Sequence, residues 1–563
     1  MHKKKKQNNL NGWVSMQSKA WQFVFFTLSV ALAFLSCNSA PKTAGKTAKT
    51  QTEDNYAATR PKVFNKETLT VSFSGNGIEY DFRKSYMASE AQVYTALYEG
   101  LFSYHPLTME PLPAACETWN LSKDKKEWTF TIRSGAKYWN GDDVKAEDFR
   151  AAWLSILDPK ANSPYSSLFD IIEGALEYRL GQNSNKNTVG IEAVDDKTLK
   201  VKLITPADFF RSMLCHHSFS PIHPSMLKIA DWSSKPPISN GAFYVFEDKD
   251  KKKTLRRNEF YWGAGDVELK TIIIKYSDDP DEAAALWNSG ECRWIQGDVN
   301  VEALSDRSGI MVNEMFATQY YYICSRRKPW DKAEVRSALS LALPWEEIRK
   351  EYRMPAKTLI YPILGYPKIK GVDTTDIAAA KKLLQDAGYE GGKGLPELVL
   401  RLNPSSESQR IGTLMAETWK GKLGVPVRVE VLPYSSYFDS LKKGDYDVGA
   451  STWIGDFADP YTFLQMWRRD SNLNDAGNND ADFESLIDKS MSEEGSKRLH
   501  TLSEAEEILL KHGTVLPISY SLAVNIIDDS EIDGWYGNAL DIHPFKYLSF
   551  KRAKPLPGVV LAK

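Results

Sequence analysis

The sequence predicts a mixed α/β protein of two or three domains, and three observations carry that prediction. The chain has 563 residues, too many for one ordinary hydrophobic core. Its composition, 42% hydrophobic and 26% charged, is that of a folded globular protein. From Leu69 onward, short β-branched or alternating stretches interleave with helix-spaced ones, without a fixed repeat period.

The N-terminus reads as an export signal. Lys3 to Lys6 and Lys19 form a basic region, and Trp21 to Leu35 is an apolar run broken only by Gln22, Thr27 and Ser29. That run falls short of the roughly 18–20 residues a membrane span needs. Met16 offers an alternative start that gives a more compact signal. The run ends in Phe34-Leu35-Ser36-Cys37, which resembles a bacterial lipobox, with Phe34 in place of the usual leucine. On this reading residues 1–36 are a lipoprotein signal peptide and Cys37 is the acylated first residue of the mature chain. The other reading is a plain secretory signal with an incidental cysteine. Acyl chains contribute about 0.8 kcal/mol per buried CH₂, so a multiply acylated Cys37 would anchor the chain to a lipid bilayer. Residues 37–65, rich in Lys, Thr and Ala with few large apolar side chains, read as a flexible tether. The expected location is the cell envelope, facing the periplasm or the exterior.

Strands are predicted at Leu69–Phe73, Trp128–Arg133, Thr198–Leu203, Thr271–Tyr276, Glu397–Leu402 and Val427–Leu432, each bounded by turn residues. Asn240 to Val245 and Lys253 to Arg256 read as a hairpin around the charged turn Glu247 to Lys252. A helix opens at Asp279-Pro280, with Asp as cap and Pro at the first position, and closes at Gly290. Others are expected over Val335–Leu343, over Ile377–Ala387 before Gly388, and from Asp459-Pro460.

Several chemistries are excluded or disfavoured. A formal net charge of −2 and no basic stripe leave nothing to grip nucleic acid. The sequence has no HExxH, GxSxG, GxxxxGK[ST] or GxGxxG pattern, so no enzyme class is indicated. Cys116, Cys215, Cys292 and Cys324 are widely spaced without a CxxC pair, which argues against zinc; an exported chain could pair them in a connectivity the sequence leaves open, and free buried thiols are the default expectation. His216 and His217 are adjacent, and on an extended segment their side chains would face opposite ways, so no shared metal and no cofactor is expected. Asp142 and Asp143 beside Gly141 read as turn residues. The 16 Trp and 26 Tyr suit core packing and also an adaptable binding cleft.

A series of short segments, in order, resembles the oligopeptide- and dipeptide-binding proteins of ABC transporters. These are Glu99-Gly100-Leu101; Trp128 to Arg133 with Trp139 to Asp142 and Ala146 to Phe149; Asn240 to Phe243; and Arg257 to Trp262. Gln319 to Leu343, Ala379 to Tyr389 and Trp453 to Leu464 continue the series, which covers nearly all of residues 66–550. The resemblance implies a two-lobed periplasmic-binding-protein fold, type II-like, with an extra small α+β domain and a ligand cleft between the lobes. It places one lobe at residues 66–85 with 213–318 and 526–563, the extra domain at 86–212, and the second lobe at 319–525.

The resemblance also implies function: a non-enzymatic substrate-binding lipoprotein, monomeric, that captures oligopeptides and delivers them to ABC permease membrane subunits. Asp456 takes the place of the acid that pairs with the peptide ammonium. Thr452, Trp453 and Ile454 would offer backbone hydrogen bonds from one side, with Tyr86, Met87 and Ala88 opposite. Tyr165 and Tyr321 match cleft-lining tyrosines. Ser408 and Ala450 stand where relatives carry basic side chains for the peptide carboxylate, which leaves Lys442, Lys443 or solvent for that task. Thr318 and Ile454 replace a disulfide found in some relatives, Tyr80-Asp81-Phe82 replaces the usual "LDP", and Arg293 stands where an acid is common. These departures keep open a specialised cargo, such as a metal chelate, haem, or a cell-wall or signalling peptide, and a surface adhesion or sensing role.

Overall fold

The computed structural model describes residues 65–75, 77–232 and 235–552. Cys37, the signal peptide and the tether up to residue 64 lie outside the described residues.

The N-terminal strands are β1 (Thr68–Phe73), β2 (Phe102–Tyr104), β3 (Pro111–Pro113), β4 (Cys116–Leu121), β5 (Glu127–Ile132), β6 (Ile191–Ala193) and β7 (Thr198–Lys202). There follow β8 (Phe243–Lys249), β9 (Lys252–Arg257), β10 (Thr271–Tyr276), β11 (Trp294–Gln296) and β12 (Ile310–Ile323). The last in the main sheet are β13 (Leu398–Leu402), β14 (Val427–Val431), β15 (Val448–Ile454) and β16 (Val515–Ile527). All six stretches read as strands from the sequence lie within one residue of these bounds. Each alternates or is β-branched, and each has turn residues at its ends.

Ten strands form one sheet in the order β14-β13-β15-β12-β16-β11-β1-β10-β9-β8. The two long strands β12 and β16 run antiparallel through its middle, from the Ile310–Ile526 pair to the Tyr322–Val515 pair. Their register shifts between Glu314 and Thr318 and again at Gln319–Tyr320, within this two-lobed α/β architecture. The sequence boundaries at 318/319 and 525/526 thus fall inside β12 and β16. A separate four-stranded antiparallel sheet, β4-β5-β7-β6, lies within residues 86–212.

The helix signals act as expected where a side chain caps the backbone. Asp279 accepts hydrogen bonds from the Asp281 and Glu282 amides and starts Pro280–Asn288. Asp376 accepts from the Ala379 amide and starts Ile377–Asp386, and Gly388 takes the left-handed φ of 91° just beyond its end. Asp459-Pro460 gives one α-helical turn, Tyr461–Leu464, which runs on into the 3₁₀ turn Gln465–Trp467; the Asp459 carboxylate accepts from the Tyr461 amide at 2.9 Å and from Arg498 at 2.7 and 2.9 Å. The β8–β9 hairpin is longer than predicted. Its charged segment continues the strands up to the Lys249–Lys252 pair, leaving Asp250 and Lys251 as the turn.

Most of the tryptophan is structural. Trp153, Trp232, Trp287, Trp294, Trp330, Trp345 and Trp419 are fully buried. All four described cysteines are buried and none forms a disulfide. Among the described residues, no helix is long and apolar enough to cross a membrane.

Candidate functional site

A cavity of about 600 Å³ opens between the lobes. Its geometry follows from β15. That strand pairs with β12 along its length, but meets β13 at a single pair, Leu400 with Val448. The remaining edge of β15 therefore has no strand beside it. Parity shows which backbone groups face that edge. The amide and carbonyl of Ala450 both bond to the Tyr437 hydroxyl, away from β12. Backbone direction repeats every second residue, so Thr452 and Ile454 turn the same way, while the Gly455 amide turns back to Phe316. Thr452, Trp453 and Ile454 all line the cavity.

The strand delivers the chain to Asp456, which sits on the cavity wall and is 8% exposed. The Tyr165 hydroxyl donates to its Oδ1 at 3.2 Å, and the Thr462 hydroxyl to its Oδ2 at 3.3 Å. The Asp456 amide donates to the Thr462 oxygen, and the Tyr104 hydroxyl to the Asp456 carbonyl. His216 Nε2 stands 3.7 Å from Oδ1. Burial pushes the Asp456 carboxyl up to about 7, against the pull of those two hydroxyls. Burial also drives the His216 imidazole down to about 3, so the pair is not an ion pair near neutral pH. Among the described residues no lysine or arginine pairs with Asp456. The site is a desolvated carboxyl group on the cavity wall.

The opposite wall carries Tyr86, Met87 and Ala88, which lead into the helix Ala88–Leu97. Lys442 lies 5.1 Å over the Tyr86 ring and pairs with Asp475 at 2.8 Å; both line the cavity, whereas Lys443 does not. Lys546, the other lining lysine, is held by Glu99 at 2.8 Å. The walls are also joined beyond the cavity. Asn472 donates to the Ser163 carbonyl at 2.7 Å and the Ser166 hydroxyl at 3.0 Å, and Arg179 donates to the Asp470 carbonyl at 2.7 Å.

The structure brings together Tyr86, Met87, Ala88, Tyr165, Thr452, Trp453, Ile454 and Asp456, and leaves out two residues. Tyr321 is buried on the far face of β12, where its hydroxyl donates to the Ser408 carbonyl. Strand alternation explains the correction: Tyr320 and Tyr322, one position either side, face the cavity instead. Ser408 is buried in the helix Ser406–Thr418 and does not reach the cavity. The histidine doublet also departs from expectation. His216 follows the helix Phe210–Met213 and caps the 3₁₀ turn that begins at His217, and the two rings lie 3.9 Å apart. Among the described residues, no cluster of three potential metal-ligating side chains occurs. Sequence reasoning missed His216, Tyr104 and Thr462 around Asp456; the adjacent histidines were the one visible signal.

The model of the bacterial extracellular solute-binding proteins, family 5 (middle), matches residues 110–475. The oligopeptide-binding protein OppA of Bacillus subtilis is 31% identical over 450 residues, covering 76% of this chain and 82% of that protein. Among solved structures, an oligopeptide-binding protein (OppAIV) of Borrelia burgdorferi superposes with a TM-score of 0.77 at 25% identity, over 86% of this chain and all of that one. The murein tripeptide binding protein MppA of Escherichia coli also gives 0.77, at 26% identity over 86% of this chain and 99% of its own.

Proposed function

The chain belongs to the family 5 bacterial extracellular solute-binding proteins, and from that premise we propose that it captures oligopeptides between its lobes and hands them to an ABC permease. The observation that carries the reading is the open edge of β15 leading into Asp456. An extended peptide added to that edge bonds through its main chain, which gives affinity across many sequences. Its ammonium meets the Asp456 carboxylate where water is excluded and a charge-assisted contact is strong. Tyr86, Met87 and Ala88 close over the peptide from the other wall, and Tyr165 steadies the carboxylate. Lys442 is the lining cation placed to meet a peptide carboxylate once Asp475 yields it.

The body works as a monomer without chemistry or cofactor. Residues 66–85, 213–318 and 526–563 form one lobe, 319–525 the other, and 86–212 the extra domain, with β12 and β16 as the hinge. Acylated Cys37, after removal of residues 1–36, tethers it to the outside of a membrane through residues 37–65. The names of relatives, oligopeptide- and murein-peptide-binding proteins, support a peptide as ligand.

Native mass spectrometry of the full-length chain, before and after unfolding and refolding, tests the central claim. A distribution of peptide masses lost on unfolding is expected; a single non-peptide mass would replace the reading with a specialised cargo. Asp456→Ala should weaken free-amine peptides far more than their N-acetylated counterparts, and equal losses would remove Asp456 as the ammonium site. Cys37→Ser should release the protein from membranes, and persistent membrane association would refute acylation there.

A further inference from the structure

Beside Asp456 the cavity wall holds a group that the capture of a peptide main chain does not use. His217 lines the cavity next to His216 and within the same aromatic cluster. Its ring meets Tyr94 at 4.9 Å, Tyr165 at 5.7 Å and Phe82 at 6.3 Å. Every neighbour in that cluster is aromatic, so a phenylalanine would fill the slot as well. Yet the residue is an imidazole, and its Nε2 is buried without a hydrogen-bond partner. No described residue bonds its other ring nitrogen. His216, by contrast, is committed: its Nδ1 accepts from the Ser218 amide and its Nε2 faces Asp456. Buried polar atoms are nearly all paired in folded proteins, and this ring, part-exposed and lining the cavity, has no partner for its nitrogens among the described residues, which leaves its accessible edge for a ligand to meet.

We propose that His217 reads the side chain of the ligand's first residue and favours peptides whose first side chain carries a hydroxyl or an amide. The inference rests on the peptide reading above, which puts the ligand's first residue at Asp456. His216 touches both Asp456 and His217, so a first side chain leaving an ammonium at Asp456 lies within reach of the His217 ring. Burial drives the His217 imidazole well below its ordinary value, which keeps it uncharged. Each nitrogen of a neutral imidazole is a donor or an acceptor according to the tautomer, and a hydroxyl or amide can pair with it in either state. A neutral ring also leaves the Asp456 carboxylate to the ammonium, where a lysine or arginine would have competed for it. Sites built to hydrogen-bond a ligand group discriminate strongly against the isostere lacking it.

The test uses the full-length protein stripped of bound peptide, and pools of peptides three to six residues long. Within each pool the sequences are identical except for a first residue of Thr, Val, Asn or Leu, compared by competition under native mass spectrometry. The expected result is a preference of roughly tenfold for Thr over its isostere Val and for Asn over Leu. In His217→Phe both ratios collapse toward one, and in His217→Gln, which keeps a donor and an acceptor, part of the preference returns. A melting curve and the discrimination between free-amine and N-acetylated peptides confirm that each variant is folded. Equal binding of Thr and Val peptides by the wild type overturns the proposal alone, as does a ratio that survives His217→Phe. A uniform loss of all four peptides in His217→Phe also overturns it, since that pattern belongs to a main-chain contact. Failure of every peptide of every length to bind the wild type overturns the peptide reading and this inference together.

Discussion

The Tyr165 hydroxyl donates to Oδ1 of Asp456 at 3.2 Å although the two residues are 291 positions apart in the chain. The bond joins the segment between β5 and β6 to the loop that follows β15, and it holds one oxygen of a carboxyl group that burial keeps near 7. The position and the protonation of that carboxyl govern the first two predictions.

Without ligand, Asp456 costs stability at high pH. Its folded-state value stands above the ordinary 3.8, so the folded chain holds this proton more tightly than the unfolded chain. The group's contribution is therefore favourable below about pH 4, declines as pH rises from 4 to 7, and becomes a penalty on the order of 4 kcal/mol above that. Asp456→Asn, which keeps an acceptor for Tyr165 and Thr462, should melt above the wild type at pH 8 and close to it at pH 4. A difference in melting temperature that stays constant across this range would refute the assignment.

Binding should show the opposite trend. A ligand ammonium takes the place of the Asp456 proton, so affinity for free-amine peptides rises from pH 5 to about 7, with a proton released on binding. His216, already neutral down to about 3, and Tyr165, whose phenol burial holds far above its usual value, do not titrate in that window. Above about pH 7.7 the peptide amine itself loses its proton and the gain ends. Calorimetry near pH 6 in buffers of different ionisation enthalpy measures the proton directly. No buffer dependence, or one that persists in Asp456→Asn, would place the coupling elsewhere.

Much of this fold was legible because its signals are local. Alternation set the strands to within a residue, and Asp279 and Asp376 announced their helices through caps a reader can see. Motifs that looked like scattered weak matches turn out to form one knot. Glu99 takes hydrogen bonds from Tyr261 and from Trp262 at 2.5 Å, an ion pair from Lys546, and a reciprocal pair of bonds with Asn240. What was not legible depended on facing. Three consecutive tyrosines, Tyr320 to Tyr322, look alike in sequence, and only the register of β12 decides that the middle one points away from the cavity. Adjacent residues such as His216 and His217 face opposite ways only on an extended segment, and the 3₁₀ turn starting at His217 removes that condition. The closeness of His216 to Asp456 is a contact across the fold that no local pattern encodes.

Gly241, within the Asn240–Phe243 motif, is a packing requirement. Its amide donates to the Leu97 carbonyl at 2.8 Å, and a Cβ there would lie 2.3 Å from the Ala96 carbonyl oxygen and 2.5 Å from the Leu97 carbonyl carbon. Backbone at that distance cannot yield as a flexible side chain can. Gly241→Ala should destabilise by about 1–3 kcal/mol, the range for overpacking. The expected readout is a lower urea midpoint with an unchanged slope; an unchanged midpoint would mean that the helix end moves freely.

Asn472 should control affinity without touching the ligand. It lies outside the cavity lining, yet its amide bonds Ser163 and Ser166 on the facing wall, next to Ser167, whose hydroxyl reaches Gln465 and Ser471 at 3.2 Å. These contacts exist only while the two walls are together, so they favour the closed arrangement and contribute nothing to an open one. A ligand that binds the closed form has its apparent affinity reduced in proportion to any loss of that form. Asn472→Ala removes two bonds worth about 0.5–1.5 kcal/mol each and should weaken peptide binding roughly 5–150-fold. The loss should be largely in the dissociation rate, since the variant opens more readily. The preference for free-amine over acetylated peptides should persist, because Asp456 is untouched. Small-angle scattering of the ligand-free variant should show a larger radius of gyration than the wild type. If affinity falls but dissociation and radius do not change, Asn472 acts on the cavity wall and the interface does not set closure.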